Sequence, residues 1–114
     1  MSDDLYQKGF DARCDGRYRE AKMYFEAVLA ANPNHSDAKW QYGLVLGFEG
    51  DFDGSIATLQ QIVDANPDHN NARYDLGMTM MMLGMQEEAC AQFQEVLRRE
   101  PDHEKAHQQM IYCR

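Results

Sequence analysis

The chain of 114 residues is one domain's length, enough to bury roughly two thirds of its unfolded surface without covalent staples. With 44% hydrophobic and 26% charged residues it does not read as disordered, and no apolar run approaches the roughly 18 uncharged residues of a membrane helix. A formal net charge of -8 argues against a nucleic-acid partner, because neutralising a phosphate backbone takes clustered Lys and Arg.

Met1 to Asp4 carry neither the basic nor the apolar start of a secretion signal. Cys14, Cys90 and Cys113 are odd in number, scattered, and form no CxxC pair. Reduced thiols in a cytoplasm, packed as small hydrophobes, are the expectation.

In chain order the sequence falls into three segments, about 2–35, 36–69 and 70–103, followed by 104–114. Each of the three closes on a proline turn: Asn32-Pro33-Asn34-His35, Asn66-Pro67-Asp68-His69, and Glu100-Pro101-Asp102-His103, 34 residues apart. The same step relates Gly9, Gly43 and Gly77; Gly16, Gly50 and Gly84; Ala21, Ser55 and Ala89; and Phe25, Leu59 and Phe93. In the middle segment the pattern predicts an inner helix from Ala38 to Glu49, a turn at Gly50-Asp51, and a second helix from Phe52 to Ala65 that Asn66-Pro67 ends. Its six acids against the one base Lys39 read as a solvated outer face. Gly43 and Ser55 are small because helix axes approach only as near as the residues at their crossing permit. Residues 104–114 restart the inner-helix pattern at Ala106 but place Ile111 at the glycine phase, as a capping or truncated helix would.

This order of small, small, aromatic and proline resembles the tetratricopeptide repeat family over nearly the whole chain. The resemblance implies an all-α fold: a right-handed α-solenoid of three helix-turn-helix repeats plus a terminal helix, with the inner helices lining a concave surface.

The stretch GMTMMMLGM, Gly77 to Met85, holds five methionines in nine residues. At about 100° per residue, Leu76, Met80 and Leu83 share one helix side, suited to packing on Phe93, Val96 and Leu97. Tyr74, Met78, Met81, Met82 and Met85 share roughly the opposite side. Stepping back by 34 turns Tyr74 into Trp40 and Tyr6, Met78 into Leu44 and Phe10, and Met82 into Phe48 and Cys14, while Met81 becomes Gly47, a gap, and Arg13, a cation. The expected site is an apolar peptide groove of Tyr6, Phe10, Trp40, Leu44, Phe48, Tyr74, Met78, Met81 and Met82, with Arg13, Gln7, Gln41 and Asp75 adding orientation. Eight residues of helix by three helices span about 12 by 20 Å, a few hundred square ångströms, which suits one peptide rather than a standard protein interface of about 800 Å² per partner. Methionine adapts to irregular apolar shapes through three rotatable bonds and a polarizable sulfur. Part of the aromatic set packs as scaffold in such repeats, and a second copy of the chain or its own last helix is the alternative occupant, making a homo-oligomeric or self-capped assembly subunit.

No cofactor is expected. Met78, Met81, Met82 and Met85 have the spacing to offer thioethers to Cu(I), but no cysteine joins that face. His103-Glu104-Lys105-Ala106-His107 spells HExxH, yet His103 and Ala106 are simply the third members of two repeat positions, and no His, Asp or Glu follows His107 to complete a zinc site. His35, His69 and His103 read as loop residues. The carboxylate clamp that the resemblance implies needs Lys, Asn and Arg; the matching positions hold Tyr6, Phe10, Gln41, Asn71 and Asp75, so apolar readout replaces ionic readout. An enzyme is not expected, and neither is a membrane partner.

Overall fold

A computed structural model describes residues 2–113, with side chains from Asp4 onward. Arg114, the last residue of the expected terminal helix, lies outside them. The described residues form seven helices and no strand: α1 (Ser2–Cys14), α2 (Tyr18–Ala31), α3 (Ser36–Phe48), α4 (Phe52–Ala65), α5 (Asn70–Met82), α6 (Gln86–Arg99) and α7 (Glu104–Met110). Helix starts at 2, 36, 70 and 104 keep the 34-residue step. Where the sequence predicts the middle inner helix from Ala38 to Glu49, α3 starts two residues earlier and leaves Glu49 as its C-cap.

The turn inside each repeat has one cause. Gly16, Gly50 and Gly84 sit at φ of 78°, 89° and 77°, the left-handed conformation that costs a residue with a Cβ. In each case the next amide donates back across the helix end: Arg17 N to Ala12 O and Asp51 N to Leu46 O at 2.8 Å, Met85 N to Met80 O at 2.9 Å. These are the six-to-one bonds of a glycine C-cap.

The starts of α3, α5 and α7 are capped by an unexpected group. Nδ1 of His35, His69 and His103 accepts from the amides of Ala38, Ala72 and Ala106, each at 3.1 Å. The three histidines are therefore not plain loop residues. Each satisfies a backbone donor that the first helical turn leaves without an intrahelical acceptor.

The chain divides into two compact units, one ending at Thr58 and one starting at Leu59, within α4. In the first, α1 packs on α2 and α2 on α3 around buried Ala12, Ala21, Phe25, Val28, Ala38 and Val45. In the second, α5 packs on α6 and α6 on α7, burying Ala72, Leu76, Ala89, Phe93, Val96 and Ala106. The crossing is built identically in both. A Cβ on Gly9 would stand 2.7 Å from Phe25 Cε1, and a Cβ on Gly77 would stand 2.7 Å from Phe93 Cε1. The ring occupies the space that any side chain on the facing helix would need. Gly47 belongs to the same logic, since its Cβ would lie 3.3 Å from Ser55 Oγ. It is a packing glycine on the crossing side and not a gap in a groove.

The second unit also carries a network of charged bonds. Arg99 donates to Asp68 at 2.5 Å and to Glu95 at 2.7 Å, tying the end of α6 to the turn before α5, while Arg98 reaches the same Glu95 carboxylate at 2.5 Å. Hydrogen bonds from Arg98 and then Arg99 outweigh the raising effect of burial and hold the Glu95 carboxyl down from 4.5 to about 2. Glu87 and Glu88 in the first turn of α6, and Arg98 and Arg99 in its last, match the helix dipole.

The cysteines correct the sequence expectation. Cys90 and Cys113 are joined in a disulfide with their Cα atoms 5.7 Å apart, linking α6 to the segment after α7, and Cys14 is free and exposed. Leu83, expected on the buried side, is the C-cap of α5 and 42% exposed, because the helix ends before its phase is completed. Met85, expected on the opposite stripe, is the N-cap of α6.

Three measurements check this account. Gly77→Ala forces a methyl into the Phe93 ring and is expected to cost about 1–3 kcal/mol in urea unfolding. Phe93→Leu in the same chain recovers part of that, giving a favourable coupling in a double-mutant cycle. His103→Ala is expected to cost about 1 kcal/mol, with His103→Asn, itself a strong cap, recovering most of it. Because the folded pKa of Glu95 lies below its unfolded value, its contribution is present above about pH 4.5 and disappears as pH falls toward 2. The melting-temperature gap between the parent and Glu95→Gln is therefore widest at neutral pH and closes across that window; a gap that widens on acidification contradicts the pairing.

Candidate functional site

In the first unit, Tyr6, Phe10 and Arg13 lie on α1 at spacings of four and three residues, which aligns them along one helix face. Tyr6 is wedged among rings. It stacks on His35 at 5.4 Å and on Phe10 at 6.5 Å and tilts against Phe25 at 5.8 Å. Burial, with the nearby charge of Asp37, raises its phenol pKa against the opposing pull of Arg13. Tyr6 therefore spends much of its surface on scaffold and presents only an edge. The Arg13 guanidinium lies 5.0 Å from the Phe10 ring centroid, a cation–π distance, and its buried Nε meets no acceptor.

On α3, Trp40 and Leu44 are half-buried, and Phe48 at the helix end is 51% exposed while stacking on Tyr18 at 5.2 Å. Gln41 departs from expectation. At 4% exposure it is packed inside, its Oε1 without a hydrogen-bond partner, and cannot orient a ligand from an open face. Its phase lies between the two stripes, and the side facing the core is the one the fold covers.

The second unit repeats the arrangement. Tyr74 stacks on His103 at 5.4 Å and tilts against Phe93 at 5.7 Å, the counterparts of the Tyr6 contacts two repeats earlier. Its phenol pKa is raised by burial and by Asp75, against a lowering hydrogen bond from Gln109 of α7. Met78 and Met81 are half-buried and Met82 is 68% exposed, while Leu76 and Met80 on the other side of α5 are buried. The two-stripe reading of this helix therefore matches its exposure within the helical span. Asp75 is half-buried, and its carbonyl accepts from Thr79 Oγ1 at 2.9 Å.

The HExxH histidines are otherwise engaged. His103 Nδ1 accepts the Ala106 amide, and His107 Nε2 lies 2.6 Å from Pro101 O. Among the described residues no three His, Cys, Asp or Glu side chains gather to hold a metal ion. No described helix is long and apolar enough to cross a membrane.

Sequence reasoning missed two groups: the capping histidines and the cysteine pair. The first left a trace, since a histidine three residues before an alanine recurs in every segment. The second left a fainter one. Cys113 stands one and two repeat steps beyond Thr79 and Val45, both buried, so its position is one that faces a neighbouring helix.

Profiles described as tetratricopeptide repeat match residues 6–46 and 49–111. No curated protein matches the chain by sequence. Among solved structures it is similar to YrrB, described as having an unusual peptide-binding site, at 28% identity and a TM-score of 0.81 over 98% of this chain and 60% of that one. It is similar to MamA from Desulfovibrio magneticus RS-1 at 27% identity and a TM-score of 0.88, over 98% and 66%. The first repeat domain of Spaghetti (RPAP3), solved with the HSP90 peptide SRMEEVD, superposes with a TM-score of 0.91 at 21% identity, over 97% and 88%. The chain thus spans less than two thirds of the length of YrrB and MamA.

Proposed function

As the chain belongs to the tetratricopeptide repeat family, a protein-interaction fold, we propose that it takes an apolar or amphipathic peptide segment on the faces of its first-of-repeat helices, without catalysing a reaction on it. The single observation that carries this is the residual exposure of large apolar side chains on α3 and α5 after their crossing sides are buried: Phe48 and Met82 are exposed, and Trp40, Leu44, Met78 and Met81 are half-buried. An apolar face that the fold leaves open is favourable to cover, at about 25 cal/mol per Å² of apolar area removed from water.

The chemistry of the partner follows from the lining. Methionine and aromatic side chains select shape loosely and apolarity strongly. Arg13 is the one cation among these positions, its guanidinium held over Phe10, so a carboxylate is the charged group it would favour on the peptide. Tyr6 and Tyr74 contribute ring edges, because His35 and His103 cover their faces. Asp75 disfavours a second acid at its position. The peptide-binding site of YrrB and the peptide complex of Spaghetti lend the reading support as properties of related folds.

Titration with an amphipathic peptide library, followed by Trp40 fluorescence, tests the proposal. Micromolar binding is expected, since so small a face leaves little surplus over the cost of association. Phe48→Ala and Met82→Ala should each weaken binding by about tenfold. The melting temperature should change little in Met82→Ala, whose side chain is already exposed. Arg13→Gln should remove the salt dependence of binding without abolishing it. Light scattering separates the alternative occupant: a stable dimer dispersed by Phe48→Ala means that a second copy fills the face.

A further inference from the structure

From the geometry of the second unit alone, and independently of the peptide reading, we infer that Cys90–Cys113 is a thiol–disulfide exchange site whose oxidation state governs the docking of α7. The bond closes a 23-residue separation and is the covalent link between α6 and the segment that follows α7. What else holds α7 is modest. It is a seven-residue helix with one buried side chain, Ala106, supported by the His103 stack on Tyr74, the hydrogen bond of Gln109 to the Tyr74 phenol, and the contact of Gln86 with the Tyr112 carbonyl. Ile111 and Tyr112, which flank Cys113, are exposed and add little burial. A helix this short is marginal without tertiary support.

The sulfurs are also reachable. Cys90 and Cys113 line a solvent-open recess of about 640 Å³ together with Gly84, Gln86, Glu87 and Glu88. Cys113 is half-buried and Cys90 more deeply covered, so the incoming thiolate meets Cys113 Sγ first. The thiolate RS⁻ bonds to Cys113 Sγ, and the Cys90–Cys113 bond breaks with its electron pair leaving on Cys90 Sγ. A second RS⁻ attacks the sulfur of the mixed disulfide that came from the reagent, releasing RSSR and the Cys113 thiolate. Water protonates both cysteines. The balance is two RSH and one protein disulfide to one RSSR and two protein thiols, and an RSSR reagent drives the reverse. The carboxylates of Glu87 and Glu88 on the rim select the reagent class, a small cationic thiol in preference to an anionic one.

Thiol counting and hydrogen exchange on the full chain test this. With no thiol or disulfide reagent added, one thiol, Cys14, should label with maleimide; after cysteamine and its removal, all three should. Reduction should speed amide exchange in residues 104–113 by roughly tenfold or more while leaving residues 5–48 unchanged. Cys113→Ser should show the fast rate with or without cysteamine; if that variant fails to fold, the reduced parent still decides. With each rate divided by the same thiol's rate on a small uncharged disulfide, cysteamine should open the bond several-fold faster than 3-mercaptopropionate, and Glu87→Gln with Glu88→Gln should erase the preference. Three reactive thiols before any reductant is added, or exchange of 104–113 indifferent to reduction, overturns the inference; equal normalised rates for the two thiols overturn the rim's role.

Discussion

Everything in this molecule is arranged around a phenylalanine pressed against a bare backbone. Phe25 against Gly9 and Phe93 against Gly77 bring two helices closer than any pair of ordinary side chains would allow, with 2.7 Å left where a methyl would go. The ring gains full burial, worth roughly 1.5–3 kcal/mol, and fixes which side of each first helix is consumed by packing. The αL glycines at the turns and the histidine caps then follow as conditions for presenting that ring to that glycine.

Consuming one side of a helix defines what the other can do. On α5, Leu76 and Met80 go inward and Met78, Met81 and Met82 are left partly or fully outside; on α3, Val45 and Leu46 go inward and Phe48 stays out. The aromatic row shows how the division is shared. Tyr6 and Tyr74 touch the buried phenylalanine on one side and a capping histidine on another, so a single residue serves packing and surface together. The histidine is the economical element: one ring terminates a helix with Nδ1 and stacks on a tyrosine with its face.

The same residues give α7 its position. His103 caps it, stacks on Tyr74 and begins the HExxH string whose spacing suggests zinc, but its Nδ1 already accepts the Ala106 amide. Cys113 then ties the far end to α6. An apparent metal motif and two of the three scattered cysteines thus resolve into two attachments of one short helix.

What the amino-acid order determined alone is whatever repeats or acts within a few residues. The 34-residue step, the glycine turns, the proline stops and the pairing of a small residue with an aromatic are local, and the helices start where that step places them, within two residues of the predicted bounds at Ala38. The two faces of α5 were legible for the same reason, since side chains three and four apart share a face whatever surrounds them. Only the tertiary structure decided matters at helix ends and between chain segments. Leu83 is exposed because α5 stops short of it, Gln41 is covered because the core side reaches its phase, and Gly47 packs on Ser55 instead of opening a groove. The Cys90–Cys113 bond is the sharpest case. Two sulfurs 23 residues apart meet only because α7 lies on α6, a relation set by the packing of whole helices and carried by no local pattern of residues.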